Sequence, residues 1–262
     1  MPGWLLKAAR GPIRLLAGSA CIALLLAGSL HASAAEVRVA VASNFLNTAE
    51  KLADQFRHQS GHRVLLSSAS SGKLYAQIRH GAPFDLFLSA DAERPERLAS
   101  EGLAVPSQVK SYALGQLVFW APAYQGDERN CRDYLLHHRD LRLAVANPRT
   151  APYGAASHEA LSALGLNPEN MRLVFGENIA QTFAFVASGG TDGGMVAASQ
   201  LVADSSTPGC RWPIPANLYP PLVQKAVLLQ RGADNPAAQA FFDFLSSTEA
   251  REQISAAGYL PP

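Results

Sequence analysis

The sequence predicts an α/β protein made of two αβ lobes, and three observations support this class. Residues 36–101 alternate apolar strands with amphipathic helices in the order βαβαβα. A less regular alternation of strands and helices follows between residues 117 and 198. A C-terminal strand and helices, within residues 225–258, then echo the beginning of the chain. Repeated βα units require parallel strands with helices covering the faces of the sheet.

The first third of the chain supplies three strand–helix pairs. Alternating β-branched residues predict a strand at 36–43, and an apolar stripe that stops before Gly61 predicts a helix at 45–59. The same two patterns recur further along. They predict strands at 63–67 and 84–89 and helices at 73–79 and 94–101.

The rest of the chain supplies a second set of strands and helices and then returns to the first. Strands are predicted at 117–121, 143–146, 171–175, 193–198 and 225–229, and helices at 155–164, 179–187 and within 236–258. A proline-rich stretch at 207–221 interrupts this pattern. We therefore predict that lobe 1 comprises residues 35–117 and 221–262, and lobe 2 residues 118–220.

Residues 1–34 have the composition of a secretory signal peptide. Lys7, Arg10 and Arg14 precede an uncharged apolar run at 15–30, and Ala32-Ser33-Ala34 offers small residues for cleavage. The alternative is a membrane anchor, but the apolar run is short for a span of about 20 residues. We expect cleavage after Ala34 and a periplasmic mature protein.

Charge and cysteine content limit the possible partners and cofactors. The chain has 22 Lys and Arg against 21 Asp and Glu, without a basic stripe, so nucleic acid is not expected to bind. Beyond the leader the cysteines are Cys131 and Cys210, which predict one disulfide in an exported protein, or else two separate buried thiols. Their spacing does not fit a redox motif or a zinc site, and no metal ligands are predicted.

The stretch SASSGKLYAQIRHGAPFDLFLSAD, residues 68–91, allows three interpretations. Ser70 and Lys73 fit the Ser-x-x-Lys pattern of a nucleophile and its base, but the Ser-Asp-Asn and Lys-Thr-Gly elements of that family do not occur. A phosphate loop would need a glycine further upstream. In the third interpretation Ser70 or Ser71 caps the following helix and donates its hydroxyl to a ligand.

Four segments with hydroxyl groups or tight turns fall where a predicted strand hands over to a helix. Ligands of α/β sheets bind beyond the carboxyl ends of the strands, and helix N-termini present unpaired N–H groups to anions. Several such ends together would hold an anion without a cationic side chain. The four segments are Ser43-Asn44, Ser70-Ser71, Pro152-Tyr153-Gly154 and Glu177-Asn178-Ile179.

Five blocks of the sequence, in this order, resemble the ModA family of periplasmic molybdate-binding proteins of ABC importers. The blocks are VAVASNF, the stretch at 68–91, LAVANPRTAPYGAASHEAL, GENIAQTFAFV and FFDFLSSTEAREQISAAGYLPP. The resemblance implies the type 2 periplasmic-binding-protein fold, in which two αβ lobes are joined by two crossovers and the ligand cleft lies between them. It also implies a monomeric, non-enzymatic receptor that binds molybdate or tungstate, needs no cofactor and serves a membrane permease.

The resemblance also implies which residues bind the ligand. One position differs from this family's pattern, because Ala197 stands where some members have a tyrosine that donates its hydroxyl. A fifth donor must then come from elsewhere, with Asn44 and Tyr153 as candidates. Two alternatives remain open: a receptor for sulfate or phosphate, and a periplasmic serine hydrolase that uses Ser70 and Lys73. The implied ligand-binding residues are Ser43, Asn44, Ser71, Tyr153 through its backbone N–H, and Ile179 through its main chain.

Overall fold

A computed structural model of the protein describes residues 34–127, 130–138, 140–204 and 208–262, together with residues 1 and 3. The predicted signal peptide lies outside the described residues except for three positions, so the description begins at Ala34. From there to Pro262 the chain forms one unit. In the described ranges no helix combines the length and the apolar character needed to cross a membrane.

The bounds of the strands and helices follow the predicted alternation closely. The strands are β1 (Glu36–Ala42), β2 (Arg63–Ala69), β3 (Leu86–Ser89), β4 (Ala104–Gly115), β5 (Leu117–Ala121), β6 (Arg142–Ala146), β7 (Arg172–Gly176), β8 (Gly193–Ala197), β9 (Cys210–Pro213) and β10 (Leu222–Leu229). The helices are α1 (Leu46–Ser60), α2 (Ser71–Arg79), α3 (Glu93–Ser100), α4 (Cys131–His137), α5 (Pro152–Ala163), α6 (Ile179–Ala187), α7 (Ala198–Ala203), α8 (Pro236–Phe244) and α9 (Thr248–Ala256).

These strands form two five-stranded sheets, one in each lobe. The sheet of lobe 1 has the order β2-β1-β3-β10-β4, and the sheet of lobe 2 has the order β7-β6-β8-β5-β9. The chain leaves the first sheet between β4 and β5 and returns to it between β9 and β10. The predicted α/β class with two lobes is therefore confirmed, and the chain crosses twice between them.

The first third of the chain has the parallel strands that its βα units predicted, and strands from later in the chain make both sheets mixed. In lobe 1, β1 runs parallel to β2 and β3, whereas β10 is antiparallel to β3 and β4. In lobe 2, β6 is parallel to β7 and β8, whereas β5 is antiparallel to β8 and β9. Two of these strands, β4 and β9, and the short helices α4 and α7 were not predicted from the sequence.

Apolar side chains hold the helices of each lobe on its sheet. In lobe 1, Phe56 on α1 packs edge-on against Phe241 on α8, with ring centroids 5.1 Å apart. In lobe 2, Trp120 on β5 stacks on Phe183 of α6 at 5.0 Å. A disulfide joins Cys131 at the start of α4 to Cys210 at the start of β9. These contacts hold the helices against the sheet or the neighbouring helix of their own lobe.

Candidate ligand-binding site

The carboxyl ends of strands from both lobes meet around a small cavity of about 10 Å³. Lobe 1 contributes the segments that follow β1, β2 and β3, and lobe 2 contributes the starts of α5 and α6. Among the described residues, the lining contains no lysine, arginine or histidine. The predicted site residues all lie on this lining with Ser70 beside them: Ser43, Asn44, Ser71, Tyr153 and Ile179.

Ser71 is held with its hydroxyl hydrogen available to the cavity. It is the first residue of α2, is 1% exposed, and its Oγ accepts a hydrogen bond of 3.0 Å from the backbone N–H of Ala90. An oxygen that accepts from one side can donate its own hydrogen to a ligand on the other. The backbone N–H of Ser71 has no partner within its helix, because it belongs to the first turn.

The other two serines of the lining are free to donate. Neither the hydroxyl of Ser43 nor that of Ser70 bonds any described part of the protein. Ser70 occupies the N-cap position of α2, but its side chain does not make the capping hydrogen bond that was expected of Ser70 or Ser71. Both hydroxyls can therefore turn toward a ligand at no cost to the helix.

Asn44 can contribute its backbone N–H but not its side chain. Its Nδ2 donates to Oε1 of Gln224 at 2.9 Å and to the hydroxyl of Tyr259 at 3.0 Å. Its carbonyl accepts from Tyr259 at 2.7 Å and from Oγ of Ser199 at 3.1 Å. These bonds use both hydrogens of the side-chain amide, so the donor that Asn44 can offer to a ligand is its backbone N–H. Burial raises the pKa of Tyr259, which keeps its hydroxyl protonated as a donor.

The N-termini of α5 and α6 deliver the donors of lobe 2. Pro152 is the first residue of α5, where its missing N–H costs nothing, and this leaves the N–H of Tyr153 in the unpaired first turn. In α6, Oδ1 of the N-cap residue Asn178 accepts from the N–H of Gln181 at 3.0 Å. That cap satisfies a neighbouring group and leaves the N–H of Ile179 unpaired in its first turn.

The hydroxyl of Tyr153 is not placed to donate to a ligand in the cavity. The side chain is 1% exposed, and its hydroxyl has no hydrogen-bond partner among the described residues. The hydroxyl lies beside Gly115 and Gln224. A Cβ atom built on Gly115 would meet the Tyr153 hydroxyl at 2.3 Å and Nε2 of Gln224 at 2.7 Å. Burial raises the pKa of Tyr153 well above its ordinary value, so the ring stays neutral.

Ala197, which the resemblance places at the position of a donor tyrosine, does not line the cavity. It is the last residue of β8 and fully buried. Two positions later, Ser199 makes the bond to the Asn44 carbonyl that links lobe 2 to lobe 1. The roles of Ser199, Gln224 and Tyr259 were not predicted, since nothing in their local sequence shows that they meet Asn44.

The two lobes also touch each other at the edge of the cavity. The backbone N–H of Gly72 in lobe 1 donates to the carbonyl of Thr150 in lobe 2 at 2.8 Å. Next to it, Nζ of Lys73 lies 2.8 Å from Oε1 of Glu177, and both side chains are at least half exposed. Lys73 therefore pairs across the cleft instead of approaching Ser70.

Seven neutral donors thus surround a cavity between two lobes. They are the hydroxyls of Ser43, Ser70 and Ser71 and the backbone N–H groups of Asn44, Ser71, Tyr153 and Ile179. Three of the N–H groups belong to helix N-termini, which carry a partial positive charge. A small cavity whose polar groups are neutral donors, placed between two lobes that the chain crosses twice, is that of a solute-binding protein for a small anion.

Comparison with known proteins gives the family. The family described as bacterial extracellular solute-binding protein matches residues 37–260, and the chain belongs to this family. It is 45% identical over 232 residues to the molybdate-binding protein ModA of Azotobacter vinelandii, covering 87% of this chain and 91% of that protein. It is 41% identical over 252 residues to ModA of Rhodobacter capsulatus, covering 95% and 98%.

A solved structure supports the same assignment. The periplasmic molybdate-binding protein of Azotobacter vinelandii matches with a TM-score of 0.80 and 39% identity, covering 86% of this chain and 99% of that one. The resemblance to the ModA family that the sequence blocks indicated is therefore confirmed, and so is the fold that this resemblance implied.

Proposed function

We propose that this protein captures molybdate, or the similar dianion tungstate, in the cavity between its lobes and delivers it to the membrane permease of an ABC importer. The observation that carries the proposal is a lining of seven neutral donors without a cation. The identity of 45% and 41% to proteins named molybdate-binding protein ModA supports this ligand. We further propose that the protein acts in the periplasm as a monomer, without a cofactor.

The donor set is strong enough for tight binding. A dianion that loses its water must have its oxygens hydrogen-bonded, because unpaired charged oxygens in a closed site are costly. A hydrogen bond to a charged group contributes about 1.5–3 kcal/mol, and seven of them exceed the cost of immobilising a small rigid ion. We therefore expect an affinity in the sub-micromolar range, about 8 kcal/mol or more of binding free energy.

The donor set also favours a fully deprotonated anion. Each N–H or O–H donor needs an acceptor oxygen opposite it, and an acidic O–H on the ligand would face another donor without a partner. This argues against protonated phosphate. Sulfate has the same charge and number of oxygens as molybdate but shorter bonds, so its rejection has to rest on the size of the cavity.

The contacts of Lys73 argue against the hydrolase alternative. A serine nucleophile needs a base within hydrogen-bond reach, about 2.6–3.2 Å. Lys73 is instead bonded to Glu177, and Ser70 has no basic neighbour in the cavity lining. We therefore propose that the protein is a binding protein and not an enzyme.

Calorimetric titration of the mature protein with molybdate, tungstate, sulfate and phosphate tests the proposal. We expect sub-micromolar binding of the first two and at least about a hundredfold weaker binding of the others. Thermal melts should agree, because a ligand at 100 times its Kd adds about 2.7 kcal/mol, which raises the Tm of a domain of this size by about 5–11 °C. If sulfate binds as tightly as molybdate, the proposed ligand becomes any tetrahedral dianion. If none of the four anions binds, the proposal is refuted.

A further inference from the structure

We propose that Gly72 is a positioning residue whose contact with Thr150 acts as a fixed stop between the closed lobes and so sets the size of the anion that fits. This inference rests on the proposed function and deepens it. It concerns a residue that donates nothing to the ligand, because its own N–H is already bonded to the carbonyl of Thr150.

The contact between Gly72 and Thr150 leaves no room for a side chain. A Cβ atom built on Gly72 would lie 2.8 Å from the carbonyl oxygen of Thr150 and 3.0 Å from its Cα. Both are backbone atoms, which cannot turn aside as a side chain would. The backbone of Gly72 does not need the left-handed conformation, since its φ is not positive. The third near atom, Nη2 of Arg94 in lobe 1 at 3.3 Å, is the end of a flexible side chain that can move aside, so the requirement for glycine at this position comes from the backbone of the neighbouring lobe.

Both sides of this contact are held in place. On lobe 1, the hydrogen bond from Ala90 to Ser71 fixes the start of α2 against the end of β3. On lobe 2, the turn before α5 is closed by bonds from the N–H groups of Thr150 and Ala151 to the carbonyl of Asn147, at 3.2 and 2.9 Å. The N–H of Asn147 in turn donates to Gly176 at the end of β7, at 2.8 Å. Neither surface can yield much when the lobes press together.

The contact lies next to the ligand donors on both lobes. Gly72 follows the donor Ser71, and Thr150 precedes the donor Tyr153 by three residues. At a distance of 2.8 Å the N–H of Gly72 and the carbonyl of Thr150 are already as close as a good hydrogen bond allows. A smaller anion therefore cannot draw the donors of the two lobes closer, and it would bond well to one lobe only.

The neighbouring pair of Lys73 and Glu177 adds little to the stop. Its side chains are 50% and 63% exposed, and exposed ion pairs change an equilibrium by about two- to fivefold at most. The pair closes the same edge of the cleft, but flexible side chains cannot define a distance. The size limit therefore belongs to the backbone contact at Gly72.

The test uses Gly72→Ala in the mature protein with Gly232→Ala as matched control. A Cβ on Gly232 would meet the carbonyl oxygen of Asp85 at 2.5 Å, and both residues belong to lobe 1. The control therefore creates a clash that is present whether the lobes are open or closed. The backbone clash at Gly72 is with Thr150 of the other lobe and is relieved when the lobes separate, and alanine suits the first turn of a helix at least as well as glycine. Each variant is measured for its ligand-free Tm and for its molybdate and sulfate affinities, the latter by displacement titration.

We expect Gly72→Ala to keep the ligand-free Tm within about 2 °C of the wild type and to weaken molybdate binding about tenfold or more. The preference for molybdate over sulfate should fall, because sulfate has fewer contacts to lose. Gly232→Ala should lower the Tm and leave the affinity of the folded protein unchanged. An unchanged molybdate affinity in Gly72→Ala, or a fall in Tm as large as that of the control, would overturn the inference.

Two further outcomes distinguish a failure of size selection from a failure of anion binding. Equal losses of molybdate and sulfate affinity in Gly72→Ala would overturn the assignment of size selection to this contact. A wild-type protein that binds neither anion would overturn the proposed function, and the inference with it, before any variant is compared.

Discussion

Replacing Ser71 and Ser43 in turn by alanine separates the contribution of a serine hydroxyl to ligand binding from its contribution to the stability of the fold. Ser71→Ala removes a ligand donor and also the acceptor of the buried N–H of Ala90, whereas Ser43→Ala removes only a donor that bonds no described part of the protein. Each lost hydrogen bond to the anion costs about 1.5–3 kcal/mol, so the Kd should rise about 10- to 150-fold in both variants.

The ligand-free stability should distinguish the two variants. A buried N–H without a partner costs about 1–3 kcal/mol, and each kcal/mol lowers the Tm of a domain of this size by about 2–4 °C. Ser71→Ala should therefore melt measurably below the wild type without ligand, and Ser43→Ala should not. Calorimetric titration and thermal melts measure both quantities. Unchanged molybdate affinity in Ser71→Ala would remove this serine from the site, and equal melting of the two variants would refute the role assigned to the Ala90 bond.

Three further predictions follow from contacts outside the cavity. Tyr259→Phe removes both hydrogen bonds between the hydroxyl and Asn44. We expect it to lower the free energy of unfolding by about 1–3 kcal/mol and to weaken molybdate binding in titrations. Wild-type values for both quantities would refute the role of Tyr259 in holding Asn44. Replacing Cys131 and Cys210 by serine opens a loop of 79 residues, for which chain entropy gives a stabilisation of about 4.5 kcal/mol. We expect denaturant titrations to show a free energy of unfolding about 2–4 kcal/mol lower than that of the wild type. An unchanged free energy of unfolding would contradict this prediction. Burial lowers the pKa of Lys110 to about 8, so amine-reactive labelling near pH 8 should modify Lys110 before other lysines. The free energy of unfolding should also rise with pH between about 8 and the ordinary pKa of lysine. In that range the unfolded chain holds a proton on Lys110 that the folded protein has lost.

Local patterns were sufficient for the elements that surround the site, and insufficient for those at the sheet edges. The apolar alternation of β1 and the stripe of α1 are buried in lobe 1 as their periods require. β4 was missed because it is an edge strand in lobe 1, with half-exposed residues and a proline near its start. β9 was missed because its four residues lie in the proline-rich stretch, where no alternation is visible. The antiparallel direction of β10 depends on a partner strand far away in the sequence.

The same limit applies to the site. The backbone donors could be predicted from strand-to-helix junctions, since any helix start leaves N–H groups unpaired. The orientation of the Asn44 side chain could not, because its partners Gln224 and Tyr259 lie 180 and 215 residues away. The contact between Gly72 and Thr150 was equally invisible, because only the packing of one lobe on the other brings these residues together.

The absence of titrating groups in the described lining leads to a last prediction. Serine hydroxyls and backbone N–H groups do not ionise near neutral pH, and Tyr153 stays neutral because burial raises its pKa well above the ordinary value. A site that bound its anion through histidine or lysine would lose affinity with rising pH, as those groups lost their protons. Here neither the folded protein nor the ligand exchanges a proton on binding while the ligand remains a dianion. Molybdate affinity measured by titration at about pH 6, 7.5 and 9 should therefore be constant, and buffers of different ionisation enthalpy should give the same heat of binding. A steady decline with pH would mean that a cation takes part in binding, and the description of the site as a set of neutral donors would be wrong.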